Sequence, residues 1–186
     1  MMSQVFVSGH KSPDTDSIAA ALSYSYLKRR LGMDAVAVRA GEINKESRFA
    51  LDYFNLEEPI LVTSVERKNP EDEKQKVILV DHNESKQTID GMDDAEVLEI
   101  IDHHRFGDFE SENPIFILVR PVGCVNTVIY GLYKTNHIKP SREIAGIMLS
   151  AIISDTVLFR SPTTTEEDKE TAKELAEIAG VDYEAY

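Results

Sequence analysis

A chain of 186 residues with 42% hydrophobic content can bury one sizeable core and is short for two full-sized domains, so a single domain is expected. Its formal net charge of -13, from 33 acidic against 20 basic residues, repels polyanions and argues against nucleic acid as a partner. The lone Cys124 cannot close an intrachain disulfide, no N-terminal export signal is visible, and the apolar stretch Ile144 to Ile153 is far below the roughly 20 residues that span a bilayer; a cytoplasmic protein without a membrane partner is expected.

The first predicted element is a short strand, Val5-Phe6-Val7, running into the loop Ser8-Gly9-His10. A helix follows over Ile18 to Leu31, with Ile18, Ala21, Leu22 and Leu27 on one face and Gly32 as its stop. A strand at Ala35 to Val38 precedes a helix from Lys45 to Tyr53, opened by Asn44 as N-cap. The polar run Glu66 to Lys76 reads as a solvated loop. Two aliphatic strands come next, Val77 to Val80 ending at Asp81, and Val97 to Ile101 ending at Asp102-His103-His104. A strand at Ile115 to Val119, a helix over Val125 to Tyr133, a buried helix from Glu143 to Ile153 and an acidic amphipathic helix from Glu166 to Ala179 complete the chain, with Gly180 as the last helix stop. Strands alternating with helices, several apolar on both faces, predict an α/β fold with a mostly parallel sheet and helices on both faces. In such sheets the ligand site lies beyond the carboxyl ends of the strands.

The polar residues cluster at those ends. His10-Lys11-Ser12-Pro13-Asp14-Thr15-Asp16 brings one imidazole and two carboxylates together directly after a strand. Taken alone, the Asp-x-Asp pair also reads as an N-cap arrangement. Asp81, behind an aliphatic strand, needs a cation or hydrogen bonds, or serves a turn. Adjacent His103 and His104 leave extended backbone in different directions, so one can ligate while the other faces substrate. Asp155 ends a helix, where a carboxylate opposes the macrodipole unless a cation compensates, or where it caps the segment after Ser154. Carboxylates mixed with imidazoles and no thiolate suit Mn²⁺, Co²⁺, Fe²⁺ or Zn²⁺, and bridging carboxylates suit a pair of ions that activates water toward a phosphoryl group. Cys124 reads as a small buried hydrophobe, and the charges from Glu166 to Glu177 as a solvated helix face.

The motifs Gly9-His10-Lys11-Ser12-Pro13-Asp14-Thr15-Asp16-Ser17, Val80-Asp81-His82-Asn83-Glu84, Ile101-Asp102-His103-His104-Arg105, Pro121-Val122-Gly123-Cys124 and Ala151-Ile152-Ile153-Ser154-Asp155-Thr156 together resemble the family II, manganese-dependent inorganic pyrophosphatases of the DHH superfamily. The resemblance spans nearly the whole chain. It implies that His10, Asp14 and Asp81 hold one Mn²⁺ and that Asp16, Asp81, His103 and Asp155 hold a second. Co²⁺ is an alternative to manganese, and Mg²⁺ accompanies substrate. His104 would face pyrophosphate as a hydrogen-bond donor or proton partner, Asp102 would orient the histidines, and Asp14 would accept a proton as a two-metal-activated water attacks. The resemblance further implies dimerisation through this domain. Ser12 stands where the family usually has asparagine, which leaves the ligand positions intact. The family also carries a C-terminal domain with an Arg/Lys-rich substrate motif. The present sequence is read as the metal-binding DHH domain over 1–186, without that domain. Asp14, Asp16, Asp81 and Asp155 would cancel two divalent ions and leave no surplus positive charge for diphosphate, so weak turnover is expected of these residues alone. Two other readings are a DHH-type phosphodiesterase for oligonucleotides or cyclic dinucleotides and a non-catalytic metal-binding module. Against the first, no basic stretch interleaved with aromatics is present.

Overall fold

The computed structural model describes residues 4–186. Six strands, β1 (Val5–Ser8), β2 (Ala35–Arg39), β3 (Ile60–Leu61), β4 (Lys76–Val80), β5 (Glu96–Asp102) and β6 (Phe116–Val119), form one sheet in the order β3-β2-β1-β4-β5-β6. Every pairing is parallel. Five α-helices accompany it: α1 (Thr15–Arg30), α2 (Lys45–Tyr53), α3 (Val125–Thr135), α4 (Arg142–Asp155) and α5 (Glu166–Ala179).

Strand alternation sorts the core into two layers. Val5, Val7, Ile78, Val80 and Ile101 face one side, where they pack with buried residues of all five α-helices. Val77, Leu79 and Ile100 face the other, with Val38, Val65 and Ile89. The α/β parallel sheet expected from the sequence is present, and the expectation of helices on both faces narrows: the second face is covered by loops and by 3₁₀ turns at Ser85–Gln87 and Met92–Asp94. The physical reason lies in the connections. The segments after β4 and β5 hold Asp81 to Asn83 and His103 to Arg105 in irregular backbone, leaving no uninterrupted apolar period from which an α-helix could grow.

The predicted element boundaries hold within a few residues. α2 and its Asn44 cap fall where expected, with Asn44 Oδ1 accepting from Ser47 N at 2.7 Å. α5 also starts and stops as expected, with a capping box between Thr165 and Asp168 and Gly180 at φ 69 in the left-handed region that ends helices. α1 begins three residues before the predicted Ile18, because Asp14 caps it from outside. The two-residue edge strand β3 escaped sequence reading because its short apolar run carries no period. Among the described residues, no helix is long and apolar enough to cross a membrane.

The strand order reverses direction between β1 and β4. Their C-terminal ends therefore open a crevice at the topological switch point, the place where parallel open sheets bind ligands. β1 ends at Ser8, two residues before His10, and β4 ends at Val80, immediately before Asp81.

Candidate metal centre

The loop after β1 reaches the site because glycine permits a close approach. A Cβ on Gly9 would lie 2.6 Å from the Ser17 Cβ, so any larger residue would push the strand end off the first turn of α1. Asp14 caps α1 with one oxygen and turns the other toward His10. Its Oδ1 accepts from Ser17 N at 3.0 Å as the α1 N-cap, while its Oδ2 stands 3.6 Å from His10 Nε2. Asp81 adopts φ 63, a left-handed conformation that costs a non-glycine residue about 1 kcal/mol or more. Its amide is held by the Ile101 carbonyl at 2.9 Å. The kink turns the carboxylate into the crevice, where Oδ2 lies 3.4 Å from His10 Nε2 and Oδ1 lies 3.3 Å from His103 Nε2.

Asp81 thus stands between two sets of donors. His10, Asp14 and Asp81 bring ligand atoms within 4.8 Å of one another, and so do Asp16, His103 and Asp155. His104 joins Asp81 and His103 in a further group. Each residue expected at the metal centre lies in one of these groups. His82 does not: it is buried, its Nδ1 lies 2.9 Å from the Val80 carbonyl, and burial lowers its pKa.

The two histidines do not diverge as the sequence suggested. Their ring centroids are 4.2 Å apart, because the backbone leaves the strand at Asp102 and both rings fall on the same side. What separates them is exposure: the His103 side chain is 11% exposed and that of His104 is 53% exposed. Their supports also differ. His103 Nδ1 lies 2.9 Å from the Val122 carbonyl, which fixes the tautomer with its lone pair on Nε2. Asp102 Oδ1 accepts from His104 Nδ1 at 2.8 Å and from the His103 and His104 amides, so it orients the ring of His104 and only the backbone of His103. Asn83 Nδ2 in turn donates to Asp102 Oδ2 at 2.6 Å.

Electrostatics show how strongly the cluster needs cations. Burial alone would lower the His10 imidazole, but the nearby carboxylates of Asp14 and Asp81 outweigh it and carry its pKa up to about 10. His103 obeys the same balance against Asp81 and Asp16, reaching about 9. Burial and the Asp81 charge push Asp16 up to about 6; burial and the Asp16 charge push Asp155 up to about 11. Burial would raise Asp81 too, yet the His10 and His103 rings, 3.4 and 3.3 Å from its oxygens, hold it well below the carboxylate range. The Asp102 hydrogen bond raises His104. Protons supply the positive charge among these crowded carboxylates. Asp81 Oδ1 and His103 Nε2 are buried without a hydrogen-bond partner, an arrangement that divalent ions would satisfy.

Several contributors were invisible to the sequence. Ser17 Oγ donates to Asp81 Oδ2 at 2.8 Å. Cys124 is buried as expected, yet it is more than a hydrophobe: its Sγ donates to Asp16 Oδ1 at 2.8 Å. Asp168 corrects the reading of a uniformly solvated α5 face, for it is fully buried and accepts from Gly123 N at 2.8 Å and Thr127 Oγ1 at 2.6 Å. It thereby ties α5 to the loop whose Val122 carbonyl sets His103. The cations adjacent in sequence to His10 and His104 are already paired, Lys11 with Asp90 at 2.5 Å and Arg105 with Glu84 at 3.1 Å.

Fold and site together define an α/β protein with a carboxylate–histidine centre suited to divalent ions at the switch point of a parallel sheet. Residues 4–152 match the family model "DHH family, N-terminal domain", and the chain belongs to that family. It is 53% identical over 185 residues to a "Probable manganese-dependent inorganic pyrophosphatase" of an Exiguobacterium species, covering 100% of this chain and 58% of that protein. It is 50% identical, with the same coverage, to the "Manganese-dependent inorganic pyrophosphatase" of Bacillus subtilis. A solved structure of a Methanococcus jannaschii protein, described as a putative family II inorganic pyrophosphatase, superposes with TM-score 0.86 at 43% identity, over 96% of this chain and 57% of that one. The chain therefore spans little more than half the length of the relatives it matches.

Proposed function

We propose that these residues form the metal-binding DHH domain of a manganese-dependent inorganic pyrophosphatase that hydrolyses diphosphate to two phosphates in the cytoplasm. The observation that carries this reading is Asp81, which turns one carboxylate oxygen toward His10 and the other toward His103. His10, Asp14 and Asp81 would hold one ion, and Asp81, Asp16, His103 and Asp155 the second. The pyrophosphatase names of the relatives and the mixed carboxylate–imidazole donors support Mn²⁺, with Co²⁺ an alternative and Mg²⁺ as the companion of substrate. When bound, such a pair supplies Lewis-acid charge that activates water and stabilises phosphoryl oxygens.

The chain's own side chains then divide the remaining tasks. His104 donates Nδ1–H to Asp102, which favours the protonated ring, and in that form the Nε2–H on its exposed edge would donate to a phosphoryl oxygen. Asn83 keeps Asp102 in place for that purpose. Asp14, half exposed, would accept a proton. Lys11 and Arg105 are already paired with acids, so neutralising a diphosphate requires cations from further chain, in keeping with the greater length of the relatives. Self-association through this domain is supported by β6, a sheet edge on which Phe116 and Ile117 are exposed.

Phosphate release from pyrophosphate in Mn²⁺ tests the reading, using the 186-residue chain and the chain extended to the length of its relatives, with a short oligonucleotide as control substrate. The extended protein is expected to release phosphate and the shorter one little. An extended protein that cleaves only the oligonucleotide would overturn the assignment, and equal turnover by both would overturn the charge argument.

A further inference from the structure

Asp16 is the most completely enclosed carboxylate of the centre, and its surroundings are built rather than incidental. It sits at the N-terminus of α3, where Val125 N donates to Oδ2 at 2.9 Å. Oδ1 receives Cys124 Sγ at 2.8 Å, Asn126 Nδ2 at 2.7 Å and a longer contact from Asn126 N at 3.4 Å. The second Asn126 Nδ2 hydrogen reaches the Asp16 main-chain carbonyl at 3.2 Å. One carboxamide therefore grips both ends of the same residue and fixes the side chain against its own backbone. The carboxamide is itself fixed, because Ser23 Oγ donates to Asn126 Oδ1 at 2.9 Å and the Ser23 carbonyl accepts from Tyr133 Oη at 2.5 Å. Asn126 and Ser23 are fully buried, so water cannot substitute for either.

The two oxygens of Asp16 are left unequal. Oδ1 has its lone pairs occupied by these donors, whereas Oδ2 keeps capacity on the side facing His103 Nε2, 3.5 Å away. We infer that Asn126 is a positioning residue for one half of the centre: it holds Asp16 so that Oδ2 alone is offered, and its loss weakens the ion of the Asp16–His103–Asp155 group while sparing that of the His10–Asp14–Asp81 group. The inference rests on the two-ion reading above. Asn126 lies outside both ligand groups, and none of its hydrogen bonds reaches His10, Asp14 or Asp81.

The test is a Mn²⁺ titration of the full chain by calorimetry, with free Mn²⁺ monitored by electron paramagnetic resonance, comparing wild type, Asn126→Ala and Ser23→Ala. Wild type is expected to take two ions. Asn126→Ala is expected to keep one at wild-type affinity and to bind the other about 10- to 100-fold more weakly, the usual effect of removing a group that orients a ligand. Ser23→Ala frees the carboxamide to rotate and is expected to weaken the same ion by less. Should Asn126→Ala not fold, as judged by circular dichroism in chelator, Ser23→Ala decides alone. Two ions in wild type with both, or neither, weakened in the variants would overturn the role of Asn126. Fewer than two ions in wild type would overturn the two-ion reading instead.

Discussion

Replacing Asp168 with alanine should destabilise the whole domain, although the residue belongs to the run of charges that reads as the solvated face of an amphipathic helix. The carboxylate accepts from Gly123 N and Thr127 Oγ1, both buried, and closes the capping box with Thr165, whose amide lies 2.7 Å from Oδ2. Removing it strands two buried donors, at about 1 to 3 kcal/mol each, and loses a helix cap worth about 1 kcal/mol. The expected total is about 3 to 7 kcal/mol, and for a domain of this size each kcal/mol lowers the melting temperature by about 2 to 4 °C. Thermal and urea unfolding in chelator, with no metal to mask the change, should show a fall of about 6 °C or more for Asp168→Ala. Asp168→Asn, which retains one acceptor oxygen, should lose less. A shift under about 1 kcal/mol would refute the claim that this carboxylate anchors the loop carrying Val122.

Metal uptake should release protons. His10, His103 and Asp155, with pKa values raised to about 10, 9 and 11, are protonated near neutrality without metal and must give up those protons to ligate. Mn²⁺ affinity should therefore rise from about pH 6 to about pH 8, and calorimetry in buffers of different ionisation enthalpy should show net proton release; pH-independent affinity would contradict this. Gly9→Ala should press on Ser17 at 2.6 Å, costing about 1 to 3 kcal/mol in chelator and weakening Mn²⁺ binding through the displaced His10 loop, whereas an unchanged melting curve would show the contact yields freely. Asp102→Asn should leave the metal content unchanged while lowering the His104 pKa, read by proton-titrated NMR of the ring, since Asp102 is the largest cause of that elevation.

The sheet was legible because its strands are continuous aliphatic runs, each ending abruptly in a polar residue: Val80 before Asp81, Ile101 before Asp102. His10, Asp81 and His103 of the candidate centre were legible for the same reason, since strand ends of a parallel sheet converge. Their supports were not. Asn126 and Ser23 meet across 103 positions of sequence, and Asp168 reaches Gly123 across 45, so no local period betrays them. The charge of Asp168 was misassigned to solvent because its neighbours on α5, Glu166, Glu167 and Glu170, are acids too, and the helical pattern does not distinguish the first turn, where a carboxylate caps inward. The converging rings of His103 and His104 depended on where β5 stops, a boundary that sequence fixes only to within a few residues.

The most direct test of the shared centre is anomalous diffraction at the manganese edge from crystals of this chain grown with Mn²⁺. Two peaks flanking the Asp81 carboxylate are predicted, one beside His10 and Asp14 and the other beside Asp16, His103 and Asp155. A single peak, or peaks that leave Asp81 untouched, would contradict the assignment.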